Sequence, residues 1–580
     1  MSNAEIARHL DRLADLSEIG GDNPFRVRAY RNAAATLRDL ETPVEDLVAA
    51  GADLTQVKGI GKEIAEKVRT LVQTGSMPQL VALEQEVPPG LLEVVKVKGV
   101  GPKQAATLWK ALGVTSVDEL EAAAKDGRIT SLPGFGAKKV ANILRGIESY
   151  RRNTGRVLLG QVDAVLDRLL THLRAVPGVR RLEVAGSYRR RKETVGDIDI
   201  VAVADDPAAL SDALTSYDEV AAVLGKGETK TSVELGSGLQ VDLRVVAEES
   251  FGGALLYFTG SKEHNVQLRQ RALERGWHLN DYGLFEGGEP GRERKGGRLL
   301  ASATEDEIYA RLGLAFIPPE LRQGRGEVEA AAEGALPALI EPGDVRGDLH
   351  MHTTWSDGRD SLVAMVDACV ALGYEYMAIT DHSGSLALQG GLDDEKLRRQ
   401  HAELAEVMAG RDDITVLRGM EVDILKDGSL DVTDEQLANL DVVLVSVHSF
   451  FELPEAQQTE RVVRALLHPR VNVYAHPLGR QLGQRDPIAL DLDAVFAACR
   501  ENRVAVEHNA SPRRLDLPDV HLRAAAQAGL KVFIGTDAHS VRGLGAMGLG
   551  VSQARRAWLT ADDVVNTRPL AEVLAFLAKR

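Results

Sequence analysis

Beyond residue 345, seven short apolar runs each end in an imidazole or a carboxylate, and few folds tolerate that pattern. The runs are GDLHMHT, YMAITDHS, LRGMEVDI, VVLVSVHS, VNVYAHP, VAVEHNA and VFIGTDAH, separated by Ala/Leu-rich helical stretches. Short strands alternating with helices predict βα units around a parallel sheet. In such folds the site lies beyond the carboxyl ends of the strands, so these side chains should converge in one pocket. The candidate metal ligands are His350, His352, Asp357, His382, Glu421, His448, His476, Asp537 and His539. Mixed imidazole and carboxylate donors suit Zn2+, Mn2+ or Fe, and nine ligands are enough for two or three ions. His401, His468 and His521 are expected to be ordinary core or surface residues, and His508–Asn509 stays outside the primary set.

Histidine usage marks a boundary. Four of the 14 histidines precede the segment 319–345 and ten follow it. That segment, EVEAAAEGALPALIEPGD at its centre, is rich in Ala, Glu and Pro and reads as a linker. Before it, residues 1 to about 152 have helical periodicity with Gly-containing turns, and 153–318 mix a long helix with strands such as RRLEVAGS, DIDIVAVA and LQVDLRVV. The net charge of −16 argues against a uniformly basic nucleic-acid coat, though not against binding through amides, local lysines or metal ions. Two cysteines, Cys369 and Cys499, give no disulfide framework and no metal-binding pair, which points to the cytoplasm. No apolar run approaches the roughly 18 residues a membrane span needs, and the start MSNAEIARHLDRL lacks a signal-peptide core.

The first stretch carries a repeat: VKGIGKEIAEKV (57–68), VKGVGPKQAATL (97–108) and LPGFGAKKVANI (132–143). Paired glycines before a helix bring backbone amides close to an anion such as a phosphate. One Gly-x-Gly turn is often a plain connection; three with the same flanks are specific. They resemble helix-hairpin-helix motifs, which hold DNA by its backbone without reading sequence. Gly59, Gly61, Gly99, Gly101, Gly134 and Gly136 are the expected DNA contacts, with Lys103 and Lys138, and with Lys62 and Lys139 placed to add charge.

The segment VAGSYRRRKETVGDIDIVAV holds Asp197 and Asp199 two apart on a strand, so both emerge on one face while Ile198 and Ile200 bury on the other. Asp242 suits a neighbouring strand of the same sheet. A lone D-x-D is more often a solvated strand edge. Three carboxylates on one face, however, repel one another and are costly to bury without cations. Two divalent metals there can activate a 3′-hydroxyl and stabilise a leaving pyrophosphate. Gly186 and Ser187 can cradle phosphate, and Arg190 can neutralise it.

GSYRRRKETVGDIDI, VDLRV and YFTGSKEHNVQLR, in that order, resemble the palm and thumb motifs of family X DNA polymerases. The resemblance implies that Asp197, Asp199 and Asp242 are catalytic and bind Mg2+ or Mn2+. It implies that Ser187, Arg190 and Gly196 meet the nucleotide triphosphate, with Gly186 beside them. Tyr257, Phe258 and Gly260 would line the sugar pocket, while Asn265 and Arg269 reach the nucleotide and the template. NPFRVRAYRNAAATLRDL with the first Gly-x-Gly copy resembles a DNA-end-binding domain that is a lyase in some relatives, which makes Lys67 the candidate Schiff-base lysine. A Schiff base needs a neutral amine. Glu63, one helical turn earlier, favours the charged form, so the expectation adopted is a Glu63–Lys67 ion pair. DLHMHTTWSDG, TDHS, GMEVDIL, SVHS, AHP and GTDAH resemble the PHP (polymerase and histidinol phosphatase) domain, implying phosphoester hydrolysis and, beside a family X polymerase, a 3′→5′ exonuclease.

The expected architecture is multidomain: an α-helical helix-hairpin-helix N-terminal region, an α+β nucleotidyltransferase palm and thumb, and a C-terminal distorted (β/α)7 barrel. Its parts are 1–75 (DNA-end-binding, lyase-like), 76–152 (helix-hairpin-helix), 153–255 (palm), 256–318 (thumb), 319–345 (linker) and 346–580 (PHP). The expected activity is gap-filling polymerisation with 3′→5′ exonuclease, by a monomer acting on gapped or primed DNA and deoxynucleoside triphosphates. Two alternatives are a DNA-end scaffold with one inert site and a phosphatase tethered to a DNA-binding arm.

Overall fold

The computed structural model describes residues 3–40, 44–57, 59–97, 99–153, 155–287, 297–384 and 391–579. The chain forms two compact units, 1–154 and 155–580. The first is helical. One apolar core runs through it from Ile6 to Ile147, across the expected boundary at 75/76. The three Gly-x-Gly copies share one geometry. Gly59, Gly99 and Gly134 are left-handed, at φ of 90°, 89° and 82°. The apolar residue between the glycines (Ile60, Val100, Phe135) is buried and donates its amide to the carbonyl three residues back. A helix starts immediately afterwards: Lys62–Thr74, Pro102–Leu112 and Ala137–Asn153.

The second unit opens with a five-stranded sheet in the order Val179–Val184, Asp197–Ala204, Gln240–Val245, Lys230–Leu235, Val220–Lys226. Alternation decides its two faces. Ile198, Ile200 and Ala202 pack under the helix Leu159–Arg174, whereas Val201 and Val203 pack on the helix Phe251–Thr259. Asp197 and Asp199 therefore project on the face opposite Ile198 and Ile200, as the pattern predicts. The helices Phe251–Thr259, Lys262–Leu273 and Glu305–Arg311, with a three-stranded antiparallel sheet, complete this part.

The segment 319–345 is not a linker. It carries a helix at Glu327–Glu333 and buries Leu321, Val328, Ala331 and Ile340, while Arg322 and Glu327 are fully buried. Its buried polar residues are bonded within the fold. Arg322 reaches Glu305 Oε1 at 2.5 Å, and Glu327 Oε1 meets His264 Nδ1 at 2.8 Å. Glu305 in turn pairs both its oxygens with Arg189 at 2.9 and 2.7 Å. Composition misled because these charges are satisfied inside the fold.

Seven parallel strands follow, hydrogen-bonded in chain order: Gly347–Asp348, Tyr376–Ile379, Thr415–Asp423, Val442–Ser446, Val473–Tyr474, Ala505–Asn509 and Val532–Gly535. A parallel bridge between Met351 and Ala538 brings the last strand back to the first. The result is the distorted (β/α)7 barrel expected, with every strand fully buried apart from the start and Arg418 of the third. Cys369 and Cys499 are free and buried within it. Among the described residues, no helix is long and apolar enough to cross a membrane.

Candidate functional sites

Asp199 and Asp242 are direct register partners on adjacent parallel strands, with Asp197 opposite Gln240 at the solvent end. Burial, then repulsion from Asp197 and Asp242, pushes Asp199 up to about 6. Burial pushes Asp242 the same way but loses to hydrogen bonds from Lys230, Ser232 and Gln240, which hold it below the usual carboxylate range. Lys230 Nζ lies 2.7 Å from Asp242 Oδ2, and Gln240 Nε2 donates to Oδ1 at 2.9 Å. Three clustered carboxylates, one of them destabilised as an anion, are a donor set fitted to divalent cations.

The other expected polymerase residues gather around this face. Gly186 is left-handed (φ 66°), and a Cβ there would lie 2.5 Å from Asp199 Oδ2, so only glycine lets the loop approach. Ser187 Oγ is buried with no hydrogen-bond partner. Arg190 donates to the Thr259 carbonyl, and a Cβ on Gly260 would meet its Nη1 at 3.0 Å. Gly196 sits against Arg156 Nη1, at 3.1 Å from where a Cβ would be. Tyr257 and Phe258 pack edge to face at 5.0 Å. Asn265 Nδ2 donates to the Tyr257 carbonyl at 2.8 Å, and Arg269 lies over the Tyr257 ring at 5.2 Å. Arg244, two residues after Asp242 on the same face, was not singled out from the sequence; it stacks on Phe258 at 4.1 Å and moderates the charge on Asp199.

All nine C-terminal candidates meet at the carboxyl end of the barrel, with Glu421 at the hub. Its Oε2 lies 3.3 Å from His350 Nε2, 3.4 Å from His352 Nε2 and 3.2 Å from His382 Nδ1. Its Oε1 lies 2.8 Å from His476 Nε2 and 3.4 Å from His448 Nε2. Three overlapping ligand groups emerge: His350, His352, Asp537; His382, Glu421, His448; and His352, Asp357, His382, His539, each with donor atoms within 4.8 Å of one another. Buried ring nitrogens of His350, His352, His382 and His476, and Glu421 Oε2, have no hydrogen-bond partner. Orphaned donors that converge in this way fit metal ions better than they fit each other. Burial drives His352 and His476 down to about 3. It opposes charge on His539 too, but Asp357 and Asp537 win there and push that ring up to about 9. His476 and Asp537 hold positive φ of 28° and 53°, strain of the kind that is retained at sites.

A second layer aims these ligands. Glu507 takes His350 Nδ1 at 2.5 Å and the His476 amide at 2.5 Å, and Asp381 takes the Thr353 amide at 2.8 Å and Gln400 Nε2 at 2.6 Å. Glu507 is not among the candidates read from the sequence, yet strand alternation puts Glu507 and Asn509 inside. His508 points away, its Nδ1 donating to the Leu517 carbonyl at 3.0 Å. His468 pairs with Asp434 at the surface, at 3.2 Å. His401 and His521 lie outside all three ligand groups.

In the helical unit, Gly61 and Gly136 have open space where a Cβ would stand, and Lys62, Lys103 and Lys138 are exposed. The second copy differs. Its Gly101 amide is taken by Gln104 Oε1 at 2.9 Å, and Pro102 has no amide to offer. Lys139 lies over the Phe135 ring at 4.6 Å. Lys67 pairs with Glu63 at 3.0 Å, and Tyr30 donates to the same Glu63 oxygen at 3.1 Å.

Comparison with known proteins identifies domains that carry many of these residues. Family models match in four places: a helix-hairpin-helix domain at 1–77, a SAM-like helix-hairpin-helix tandem at 91–149, the DNA polymerase beta thumb at 254–323 and the PHP domain at 348–511. The DNA polymerase/3′-5′ exonuclease PolX of Bacillus subtilis (strain 168) is 38% identical over 581 residues, covering 100% of both chains. DNA polymerase lambda of Rattus norvegicus is 25% identical over 342 residues, 55% of this chain and 56% of its own. The Arabidopsis thaliana DNA polymerase lambda is 24% identical over 346 residues, 55% and 62% respectively.

Proposed function

Because this chain belongs to the PolX family of DNA polymerase/3′-5′ exonucleases, we propose that its two carboxylate-centred clusters divide one repair task, filling short gaps and trimming the 3′ ends that precede them. The enzyme is a family X DNA polymerase with a PHP-domain exonuclease, and it depends on divalent metal. The observation that carries the division of labour is the register pairing of Asp199 with Asp242 on one sheet, and a complete, separate ligand set around Glu421.

In the palm, Asp197, Asp199 and Asp242 hold the cations, for which we assign Mg2+ or Mn2+. Ser187, Gly186, Gly196 and Arg190 receive the triphosphate of the incoming deoxynucleotide. Tyr257, Phe258 and Gly260 bound the sugar pocket, with Asn265 and Arg269 fixing Tyr257 from the side. In the barrel, the nine ligands from His350 to His539 hold two or three ions of Zn2+, Mn2+ or Fe. Bound cations supply Lewis-acid activation of the attacking oxygen and neutralise charge on the leaving group in both reactions. The protein's own part is to line up primer, nucleotide and water. The Gly-x-Gly turns hold the DNA backbone; the first and third copies leave open space at their second glycine, whereas in the second copy Gln104 takes the Gly101 amide. Lys67 stays paired with Glu63, and no lyase role is assigned to it. The domain division follows as 1–75, 76–152, 153–255 and 256–345, with the former linker joined to the thumb, then 346–580. Each centre is complete within one chain, so we assign a monomer.

The test uses a labelled gapped duplex with Mg2+ or Mn2+, with and without deoxynucleotides. Asp199→Ala abolishes extension and spares degradation, and His352→Ala does the reverse. Loss of both activities in either variant would refute two independent centres.

A further inference from the structure

The loop that carries Ser187 and Arg190 is finished by residues from the other catalytic domain. Its helical turn, Gly186–Arg189, ends with Arg191 at φ 52°, a left-handed position that usually takes glycine. The Arg191 amide folds back to Tyr188 O at 2.8 Å and the Lys192 amide to Ser187 O at 3.0 Å. The carbonyls of Arg190 and Arg191 are left over, as the last carbonyls of any helical turn are. No backbone amide of the described palm residues claims them.

The helix Met547–Arg556 of the barrel domain claims both. Gln553 Nε2 donates to Arg191 O at 2.7 Å, and Arg556 Nη1 donates to Arg190 O. Arg556 is itself held by Asp519 at 2.8 Å. Two residues further along the loop, Arg480 pairs with Glu193 Oε1 at 2.5 Å. All three donors are buried. The surrounding contact is apolar and tight. Leu515 and Leu549 belong to the palm's own core, and a Cβ on Gly160 would lie 2.9 Å from both Leu549 and Pro512.

We infer that Gln553, Arg556 and Arg480 are positioning residues for nucleotide binding, through which the exonuclease domain holds the polymerase's triphosphate loop in its working shape. The inference rests on the reading of Ser187 and Arg190 as nucleotide contacts. Arg190 is the link. Arg556 fixes its carbonyl while its guanidinium reaches over to Thr259 O, at the edge of the sugar pocket. A donor lost from the barrel side frees the loop without touching any metal ligand of either centre.

The test is steady-state extension on gapped duplex by the full chain carrying Gln553→Met, Arg556→Met or both. Each single variant raises KM for deoxynucleotide about three- to tenfold, the scale of one net hydrogen bond. kcat stays within about twofold, as do KM for DNA and the 3′→5′ exonuclease rate. A merely structural role would not split KM for nucleotide from these other readouts. An unchanged nucleotide KM, or a parallel fall in extension and exonuclease, overturns the inference. Gln553→Met deletes one donor only, since Gln553 Oε1 has no partner, so it decides the matter should Arg556→Met fail to fold. Arg190→Ala separates the two claims. If it leaves nucleotide KM unchanged, the nucleotide-site reading has failed. If it raises KM while the barrel variants do not, only the positioning inference falls.

Discussion

Asp199 is the residue on which the palm's chemistry turns, because burial and its two neighbouring aspartates destabilise its anion. Without metal its carboxyl sits near 6, against an ordinary 3.8, through burial and the two neighbouring aspartates. A raised folded-state value means that this group's own contribution to metal-free stability is greatest below about 4 and declines as pH rises toward 6. Cations need the deprotonated form, so protons compete below that point. The divalent cation concentration giving half-maximal extension should climb about tenfold per pH unit below 6 and level off above it. Titrating metal in extension assays between pH 5 and 7 checks this, and a pH-independent requirement would contradict it. Gly186→Ala acts on the same carboxylate by force, since the new methyl would stand 2.5 Å from Asp199 Oδ2. A displacement of that order costs about a hundredfold in extension with exonuclease intact; near-normal extension would show that the loop can yield. In the barrel, Glu421→Gln removes the charge shared by five histidines. Bound metal per chain, read by elemental analysis, should drop along with exonuclease, while extension persists. Most of these ligands were legible because they sit at or just past the end of an apolar run. Glu507 ends the run Val504–Val506 in the same way and was still missed; the signal that finds it is strand alternation, which puts Glu507 and Asn509 on one face and His508 on the other.

At the scale of elements, the Gly-x-Gly turns show how one motif separates fold from function. The first glycine is conformational, and in the first and third copies the second is open. Gly134 is left-handed with no atom near its missing Cβ, so Gly134→Ala costs stability alone, about 1–2 kcal/mol. Gly136 has neither a positive φ nor a neighbour within 4 Å. Gly136→Ala should therefore leave thermal stability nearly unchanged yet weaken duplex binding severalfold, equally across sequences, because a methyl stands where a phosphate would approach. Anisotropy with two unrelated duplexes measures it, and undiminished affinity would remove this turn from the DNA interface. The repeat itself was plain in the sequence. Its broken symmetry was not: Gln104 and Pro102 look like ordinary first-turn residues until Gln104 is seen capping Gly101. The segment 319–345 misled for a related reason, since Ala, Glu and Pro describe a linker only if their charges meet water. Here Glu327 meets His264 and Arg322 meets Glu305.

For the whole molecule, the contact between palm and barrel was beyond the reach of sequence reading. Leu515, Leu549, Gln553 and Arg556 carry the pattern of any barrel loop and helix, and nothing in their spacing says that two of them belong to the palm's core. That sharing has a thermodynamic consequence. Domains joined by a tether open independently, whereas domains that bury each other's side chains open together. Residues 155–580 form one compact unit. The palm strand Asp197–Ala204 and the barrel strand Val442–Ser446, the latter fully buried, should then share one opening free energy. Hydrogen exchange in increasing denaturant tests this, with both strands losing protection along a common isotherm. Leu549→Ala should loosen the coupling and split that isotherm, since it deletes a side chain counted in the palm's core while leaving both metal centres untouched. Two separate isotherms in the unmodified chain would mean that the barrel merely rests on the palm. In that case the hydrogen bonds from Gln553 and Arg556 to the nucleotide loop would be too easily broken to hold it in place.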